Sequence, residues 1–175
     1  MRKWFCGAAI LMCLMAMVTA GCQLNASAEN DKYIELGETV HDIRKRYNEP
    51  YTAWGLTRVY QIEEDVYQLV IFNLDAKVDK SIEIIPGEGT RNAQGFIPIR
   101  FEEPEHYLGL TLEELEVELG PYHVSAGVKG FRPGYISDGG YLICFSVRNS
   151  GIVDFIEEHD MLQNKYINTW HIDSE

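Results

Sequence analysis

Residues 36–39 read Leu-Gly-Glu-Thr, and 72 positions later residues 108–111 read Leu-Gly-Leu-Thr. Apolar residues at helical spacing follow each copy, and each helical stretch stops at an Asn or Gly close to a proline. A repeat at a fixed spacing predicts the architecture of the whole chain, because each copy builds the same local unit. The sequence therefore predicts one globular domain over residues 33–175, built from two units at about 34–85 and 107–157.

Each unit is predicted to begin with a short capped helix. Thr39 and Thr111 suit the N-cap, where a hydroxyl accepts a hydrogen bond from a backbone N–H of the first turn. Asp42 and Glu114 lie three residues later, in the position of a capping box, although Asp42 has the shorter side chain. The Asn or Gly before each proline tolerates the left-handed conformation that ends a helix.

Three β-rich segments follow each predicted helix. They are residues 58–62, 67–73 and 77–85 in the first unit and residues 134–136, 141–147 and 152–157 in the second. In residues 141–147 the large apolar side chains alternate with Leu142, Cys144 and Ser146, so one face should meet the helices, with Cys144 half-buried on the other. The predicted fold class is α+β: two tandem helix-plus-three-stranded-meander units forming an antiparallel sheet with helices on one face.

Two segments outside the units are less regular. Residues 96–99 contain a proline, which cannot donate within a central ladder, so they are compatible only with a short edge strand. Near the C-terminus, Tyr166, Ile167 and Trp170 could dock against the domain as a short helix or strand, but the pattern is too brief to decide between them or to predict docking.

Residues 1–22 have the organisation of an export signal. Arg2 and Lys3 precede an apolar run over residues 4–18, which is too short for a stable membrane span, and residues 19–22 read Thr-Ala-Gly-Cys. Small residues before a cysteine suit a lipoprotein signal peptidase, so residues 1–21 are predicted to be removed. Cys22 resembles the cysteines that receive a diacylglycerol thioether and an amide-linked acyl chain such as palmitate.

This interpretation predicts a lipidated cysteine and flexible tether over residues 22–32 and an anchor in a bacterial cell membrane or outer membrane, facing outside the cytoplasm. Two alternatives stay open. Residues 26–28 read Ala-Ser-Ala, a site at which an ordinary signal peptidase would release a secreted protein. The signal could also be retained as an uncleaved anchor.

The predicted exported part is strongly acidic. Residues 22–175 contain 13 Lys and Arg, because Arg2 and Lys3 account for two of the 15, against 27 Asp and Glu, a formal net charge of −14. Phosphate backbones would repel such a chain, so nucleic acid is excluded as a partner class. Cationic partners or divalent ions would be attracted, although an acidic solvated surface is the simpler interpretation.

The two units resemble the repeat of β-lactamase-inhibitor-protein-like domains and of the related small outer-membrane assembly lipoproteins. The features shared are Leu-Gly-x-Thr, a short helix, a Gly or Asn before proline, and a meander rich in Tyr and Phe. The resemblance implies an antiparallel sheet with helices on one face, continuous and curved in the tandem form, and protein binding without catalysis. Of the inhibitor's disulfides none is possible here, because only Cys144 remains once Cys22 carries lipid.

Signatures of common enzymes are absent from the sequence: it contains no Gly-x-Ser-x-Gly elbow, no phosphate-binding loop and no His-Glu-x-x-His helix. Cys144 paired with a histidine such as His106, His123 or His159 is a nucleophile hypothesis, but a central strand favours a structural thiol. Acidic residues and a histidine at 157–160 and at 102–106 suggest a divalent-ion site, but neighbours on a strand point in alternating directions. No cofactor or metal is predicted.

Aromatic residues favour a binding surface. The predicted partner-contacting residues are Trp54, Tyr51, Tyr60, Phe131 and Tyr135. Rigid aromatic side chains supply large contact area at low entropic cost, although aromatic residues are also ordinary core residues of strands.

The function predicted is therefore that of a membrane-anchored extracytoplasmic lipoprotein that is not an enzyme and binds an envelope protein or peptide. The alternative is a cell-envelope enzyme acting on cell-wall material with acids such as Glu63, Glu64 and Asp65. A purely structural role in the envelope also stays open.

Overall fold

The computed structural model describes residues 32–47, 49–125, 132–147 and 151–172. The predictions made for the signal and Cys22, for Asn48 and for Phe131 lie outside these residues. Ile34–Glu175 forms one compact unit. Within the described residues, no helix has the length and apolar character that crossing a bilayer requires.

Two α-helices and one 3-10 helix occur in the described part of the chain: α1 (Val40–Arg46), the 3-10 helix Pro104–Tyr107, and α2 (Leu112–Leu119). The predicted N-caps are confirmed, since Thr39 and Thr111 each accept a hydrogen bond from the backbone N–H three residues on. Only α2 has a complete capping box. In α1 the shorter Asp42 carboxylate accepts from the Thr39 hydroxyl at 2.6 Å.

Five strands follow each helix. The first five are β1 (Thr52–Trp54), β2 (Thr57–Glu63), β3 (Val66–Phe72), β4 (Val78–Ile85) and β5 (Gly89–Gln94). The second five are β6 (Val124–Ser125), β7 (Pro133–Ile136), β8 (Tyr141–Val147), β9 (Val153–Asp160) and β10 (Lys165–His171). Each set forms its own antiparallel sheet in which every strand pairs with its neighbours along the chain.

The two halves use equivalent local devices. The bounds of β8 and β9 lie 75 positions after those of β3 and β4. The ladders between these strands are interrupted at corresponding places, next to Asp79 and next to Asp154. Ahead of each helix a glycine N–H donates at 2.8 Å to the first residue of the fourth strand of its half, Gly37 to Val78 and Gly109 to Val153.

The two sheets pack face to face, with one helix on each outer face. Alternate residues of β3 divide between two cores, because successive side chains of a strand point to opposite faces. Leu69 enters the core between the sheets, and Val70 enters the core beneath α1. In β8, Leu142 enters the core between the sheets and Ile143 the core beneath α2. The layers are therefore helix, sheet, sheet, helix.

These layers correct the predicted fold class. An antiparallel meander does follow each helix, but it has five strands, and the molecule is mostly β. The two units form two separate stacked sheets and not one sheet, so the continuous curved sheet implied by the resemblance is not present. Each helix lies on one face of its own sheet, but the two helices lie on opposite sides of the stack.

The predicted strands agree with the structure more closely than the predicted connections do. All six predicted strands are confirmed within a few residues of their observed bounds. Residues 96–99 form no strand; Ile99 alone makes an isolated parallel bridge to Ser137. The segment near the C-terminus docks as a strand, β10. Cys144 is buried and not half-buried. It lies on the face of the second sheet that packs against the first sheet.

Candidate functional site

Two sets of aromatic rings lie beside the edge strand β1: Tyr51 with Tyr67, and Trp54 with His159 and Tyr166. Together they are called the rim. Tyr51 and Tyr67 are in edge contact with their ring centroids 5.1 Å apart. Trp54 approaches His159 edge-on at 6.4 Å, and His159 contacts Tyr166 at 4.9 Å. Trp54, His159 and Tyr166 therefore connect the first sheet to the second, whereas Tyr51 and Tyr67 contact each other within the first half.

Two members of the rim lie on the edge strands of their sheets, and Tyr67 and His159 lie on the inner strands β3 and β9. Trp54 belongs to β1, the outer strand of the first sheet, and Tyr166 belongs to β10, the outer strand of the second. Trp54 and Tyr67 pack from the side against the core between the sheets. The rim thus lies where that core reaches the surface.

Exposure separates the members of the rim. Tyr51 and Tyr166 are 55% and 63% exposed. Trp54 is half-buried, and its indole N–H is buried with no hydrogen-bond partner among the described residues. Replacing Trp54 is therefore expected to cost stability as well as any binding, whereas Tyr51 and Tyr166 can be replaced at the surface.

His159 contributes to the rim as a neutral ring. Burial lowers the pKa of His159 below its usual range, although the nearby Asp160 and Glu157 carboxylates raise it. An imidazole of lowered pKa is uncharged at neutral pH, so His159 offers an aromatic edge and one N–H instead of a positive charge.

The structure brings together only part of the predicted aromatic set. Tyr51 and Trp54 belong to the rim, while Tyr60 and Tyr135 are core residues with almost no exposed surface. Tyr60 packs beneath α1; Tyr135 packs beneath α2 and donates its hydroxyl to the Gly120 carbonyl at 3.0 Å. Predicting Tyr60 and Tyr135 as contact residues was wrong, because both point to the covered outer faces of their sheets.

Sequence reasoning did not assign Tyr67, His159 or Tyr166 to a binding surface, and it considered His159 only as a partner of Cys144 or a metal ligand. Tyr67 begins β3, His159 lies in β9 and Tyr166 in β10, so nothing in their spacing indicates that they meet. Tyr166 carried one weak signal, since it belongs to an aromatic segment near the C-terminus for which docking was left open.

The acidic residues at the end of β9 each bind a different partner. Glu157 pairs with Arg132 at 2.5 Å, and Glu158 accepts from the Asn168 amide at 2.6 Å. Asp160 accepts from two backbone N–H groups of the turn that follows it. Across the described ranges, no three His, Cys, Asp or Glu side chains come close enough to hold a metal ion.

The other chemically reactive candidates lie apart. Cys144 faces the core between the sheets, and burial, with a smaller contribution from Glu157, raises the pKa of its thiol to about 12. Such a thiol is protonated at neutral pH and is a poor nucleophile. Glu63, Glu64 and Asp65 are exposed in and beside the β2–β3 turn.

No protein-family model, curated protein or solved structure matches this chain.

Proposed function

We propose that this protein is a membrane-anchored lipoprotein outside the cytoplasm whose domain binds an envelope protein or peptide, without catalysis, through the aromatic rim. The observation that carries the proposal is the rim itself: half-buried Trp54 of edge strand β1 contacts His159, which contacts exposed Tyr166 of edge strand β10, and exposed Tyr51 lies just before β1. Aromatic residues backed by a packed core are the typical anchors of protein interfaces.

The form of the rim favours an extended peptide segment. A flat sheet face is the usual alternative surface, but here the inner faces cover each other and the outer faces carry the helices. Edge strands present backbone donors and acceptors to which an extended segment can add. Six of the seven residues of β10 are exposed. The acidic surface of the domain further favours a partner segment that is neutral or basic.

The resemblance to the inhibitor-like and assembly-lipoprotein repeats points to the same class of activity. Its basis is the pair of Leu-Gly-x-Thr segments, whose glycine and threonine make the same backbone contacts in both halves. The resemblance supports binding without catalysis and names no partner.

Capture from the native envelope tests the binding proposal. The full chain, tagged at its C-terminus, is purified from mildly solubilised cells, and co-purifying proteins are quantified by mass spectrometry. We expect a partner whose recovery falls about tenfold or more with the double substitution Tyr51→Ala and Tyr166→Ala.

Leu74→Ala is the matched control, because Leu74 is 94% exposed in the β3–β4 turn, outside the rim. This variant should recover the partner as well as wild type. Equal recovery by wild type and by the double variant, or no specific recovery by either, would remove the rim as the binding site.

The lipid anchor is tested separately by metabolic labelling with an alkyne-bearing palmitate. The wild-type chain and Cys144→Ser should both incorporate label and remain in the membrane fraction. Cys22→Ser should lose both properties, because Cys22 is the proposed acceptor of the acyl chains. Release of the wild-type protein into the medium without label would instead support cleavage at residues 26–28.

A further inference from the structure

A pocket separate from the aromatic rim lies between the two halves of the chain. Its volume is about 230 Å³. It forms where β4, the loop after β5 and the end of α2 meet, and its walls consist of Lys80, Gly95, Phe96, Ile97, Leu119, Gly120, Pro121 and His123. This volume is below the range typical of pockets for drug-sized molecules and suits a small ligand.

The walls of the pocket are mostly apolar. Phe96, Ile97, Leu119 and Pro121 contribute hydrocarbon surface, and no Asp or Glu is among the described lining residues although the chain contains 27 acidic residues. Among those lining residues the one fixed charge is the Lys80 ammonium. The charge at the pocket is therefore positive, whereas the net charge of the domain is negative.

His123 forms a rigid neutral part of the wall. Its Nδ1 accepts a hydrogen bond from the Ile136 N–H at 2.9 Å, and its ring contacts Phe96 with the centroids 4.5 Å apart. Burial, with a smaller contribution from Lys80, lowers the pKa of His123 to about 4. The imidazole is therefore uncharged at neutral pH.

Lys80 is held in position by its surroundings. The loop crosses its aliphatic stem at Gly95, where φ is +82° and an added Cβ would lie 3.0 Å from Lys80 Cγ and 2.8 Å from the Asp79 carbonyl oxygen. Only glycine permits this approach. Lys80 Nζ donates to the His123 carbonyl at 3.2 Å, and Lys80 forms no ion pair within the described residues. Of the three N–H donors of an ammonium, two are left for a ligand.

The end of α2 also lines the pocket, through Leu119 and Gly120. The Gly120 carbonyl accepts a hydrogen bond from the Tyr135 hydroxyl at 3.0 Å, which ties this end of the helix to the second sheet.

We propose that this pocket binds a small apolar molecule that carries a carboxylate. The apolar group would lie against Phe96, Ile97, Leu119 and Pro121, and the carboxylate would accept charge-assisted hydrogen bonds from the Lys80 ammonium. This inference is independent of the aromatic rim and of the proposed partner.

Titration calorimetry on the full chain in detergent micelles tests the proposal, with phenylacetate and 4-methylpentanoate as probes. We expect saturable binding of at least one acid, and about tenfold weaker binding of the corresponding neutral amide. Lys80→Met should weaken binding of the acid by a similar factor, because it keeps the stem that packs on Gly95 and removes the charge. Lys80→Arg should retain binding.

Lys77→Met is the matched control, since it removes an exposed lysine just before the same strand. It should bind the acids as wild type does. A peptide ending in phenylalanine, with a free or amidated C-terminus, distinguishes a chain end from a free acid as the source of the carboxylate. Absence of binding by both acids and by the peptide, or equal binding by Lys80→Met and wild type, would overturn the proposal.

Discussion

His123 is a buried histidine whose protonation is coupled to folding. It has little exposed surface, its Nδ1 is occupied by the Ile136 N–H, and its ring packs between Phe96 and Tyr135. Protonation would place a charge among these groups and remove the acceptor that Ile136 uses. The folded state therefore favours the neutral imidazole.

Stability should consequently fall as the pH falls through the range that His123 controls. The pKa is 6.5 for an unperturbed histidine and about 4 in the folded chain. Below pH 6.5 the unfolded state binds a proton that His123 does not bind in the folded state. The stability that neutral His123 contributes above this pH is therefore lost as the pH falls toward 4. Between about pH 7 and about pH 5 this loss amounts to about 2 kcal/mol.

The substitution His123→Asn isolates the effect. The Asn Oδ1 can take the place of Nδ1 as acceptor for Ile136, but it does not titrate in this range. We expect the free energy of unfolding, from urea titrations at several pH values, to decline less steeply in His123→Asn than in wild type. His41→Asn, which removes an exposed histidine from α1, is the control. Identical pH slopes for wild type and His123→Asn would contradict the coupling.

At the scale of the element, the two helices are short and depend on their first turns. α1 has seven residues and α2 has eight, lengths at which an isolated helix does not form in water. The N-cap threonine satisfies one backbone N–H in each, and burial of Ile43 or Leu115 holds the helix on its sheet.

Removing either cap should destabilise the domain. Thr39→Ala and Thr111→Ala are each expected to lower the free energy of unfolding by about 1 kcal/mol. The two losses should be similar, because each substitution removes a hydroxyl that accepts from a first-turn N–H, and the residue 111 backbone N–H that donates to Glu114 is kept in alanine. Urea denaturation measures both. Thr169→Ala, at an exposed position of β10, is the control. If Thr39→Ala and Thr111→Ala lower the free energy of unfolding no more than Thr169→Ala does, the prediction is wrong.

The strands also show which parts of the fold are encoded by neighbouring residues in the sequence. The bounds of β3, β4 and β8 were predictable because alternation and turn residues are encoded within a few positions. β5 was missed because residues 89–94 read Gly-Thr-Arg-Asn-Ala-Gln, which has no apolar alternation; this edge strand is instead held by its pairing with β4. In β8, Leu142 and Cys144 gave no sign that a second sheet covers them.

The same distinction applies to the site. Tyr51 and Trp54 were predicted because they follow a helix and a proline, where a chain commonly reaches the surface. His159 and Tyr166 join them only through the stacking of the two sheets, and no sequence period encodes that contact. Tyr60 and Tyr135 were misassigned because an aromatic residue in a strand has the same local pattern whether its face is open or covered.

At the scale of the whole molecule, the core between the sheets makes the two halves dependent on each other. Val59, Leu69 and Ile82 of the first sheet are fully buried in this core, together with Ile136 of the second. Backbone contacts reinforce the packing, since the Thr90 N–H donates to the Asp138 carbonyl at 2.8 Å. Either half alone would expose one complete apolar sheet face.

The domain should therefore unfold in one cooperative transition, and neither half should fold alone. We expect residues 32–94 and 95–172, produced separately, to lack dispersed amide resonances and a thermal transition, because burying that face is the main stabilising term for a half. Co-expression of the halves is the control and should recover dispersion if they associate. A separate half that melts cooperatively would show the two units to be autonomous.

The layered arrangement also bears on how such a domain can change over evolutionary time. Because the helices and the opposing sheet cover the faces of the central strands β3 and β8, contact with other molecules is left to edge strands, turns and the mouth of the pocket. Tyr51, Tyr166 and Ile97 occupy such places and are exposed, so their replacement leaves the folding core intact. Selection for a new partner and selection for stability act on different residues. A lineage built on this scaffold is free to exchange partners while keeping its shape.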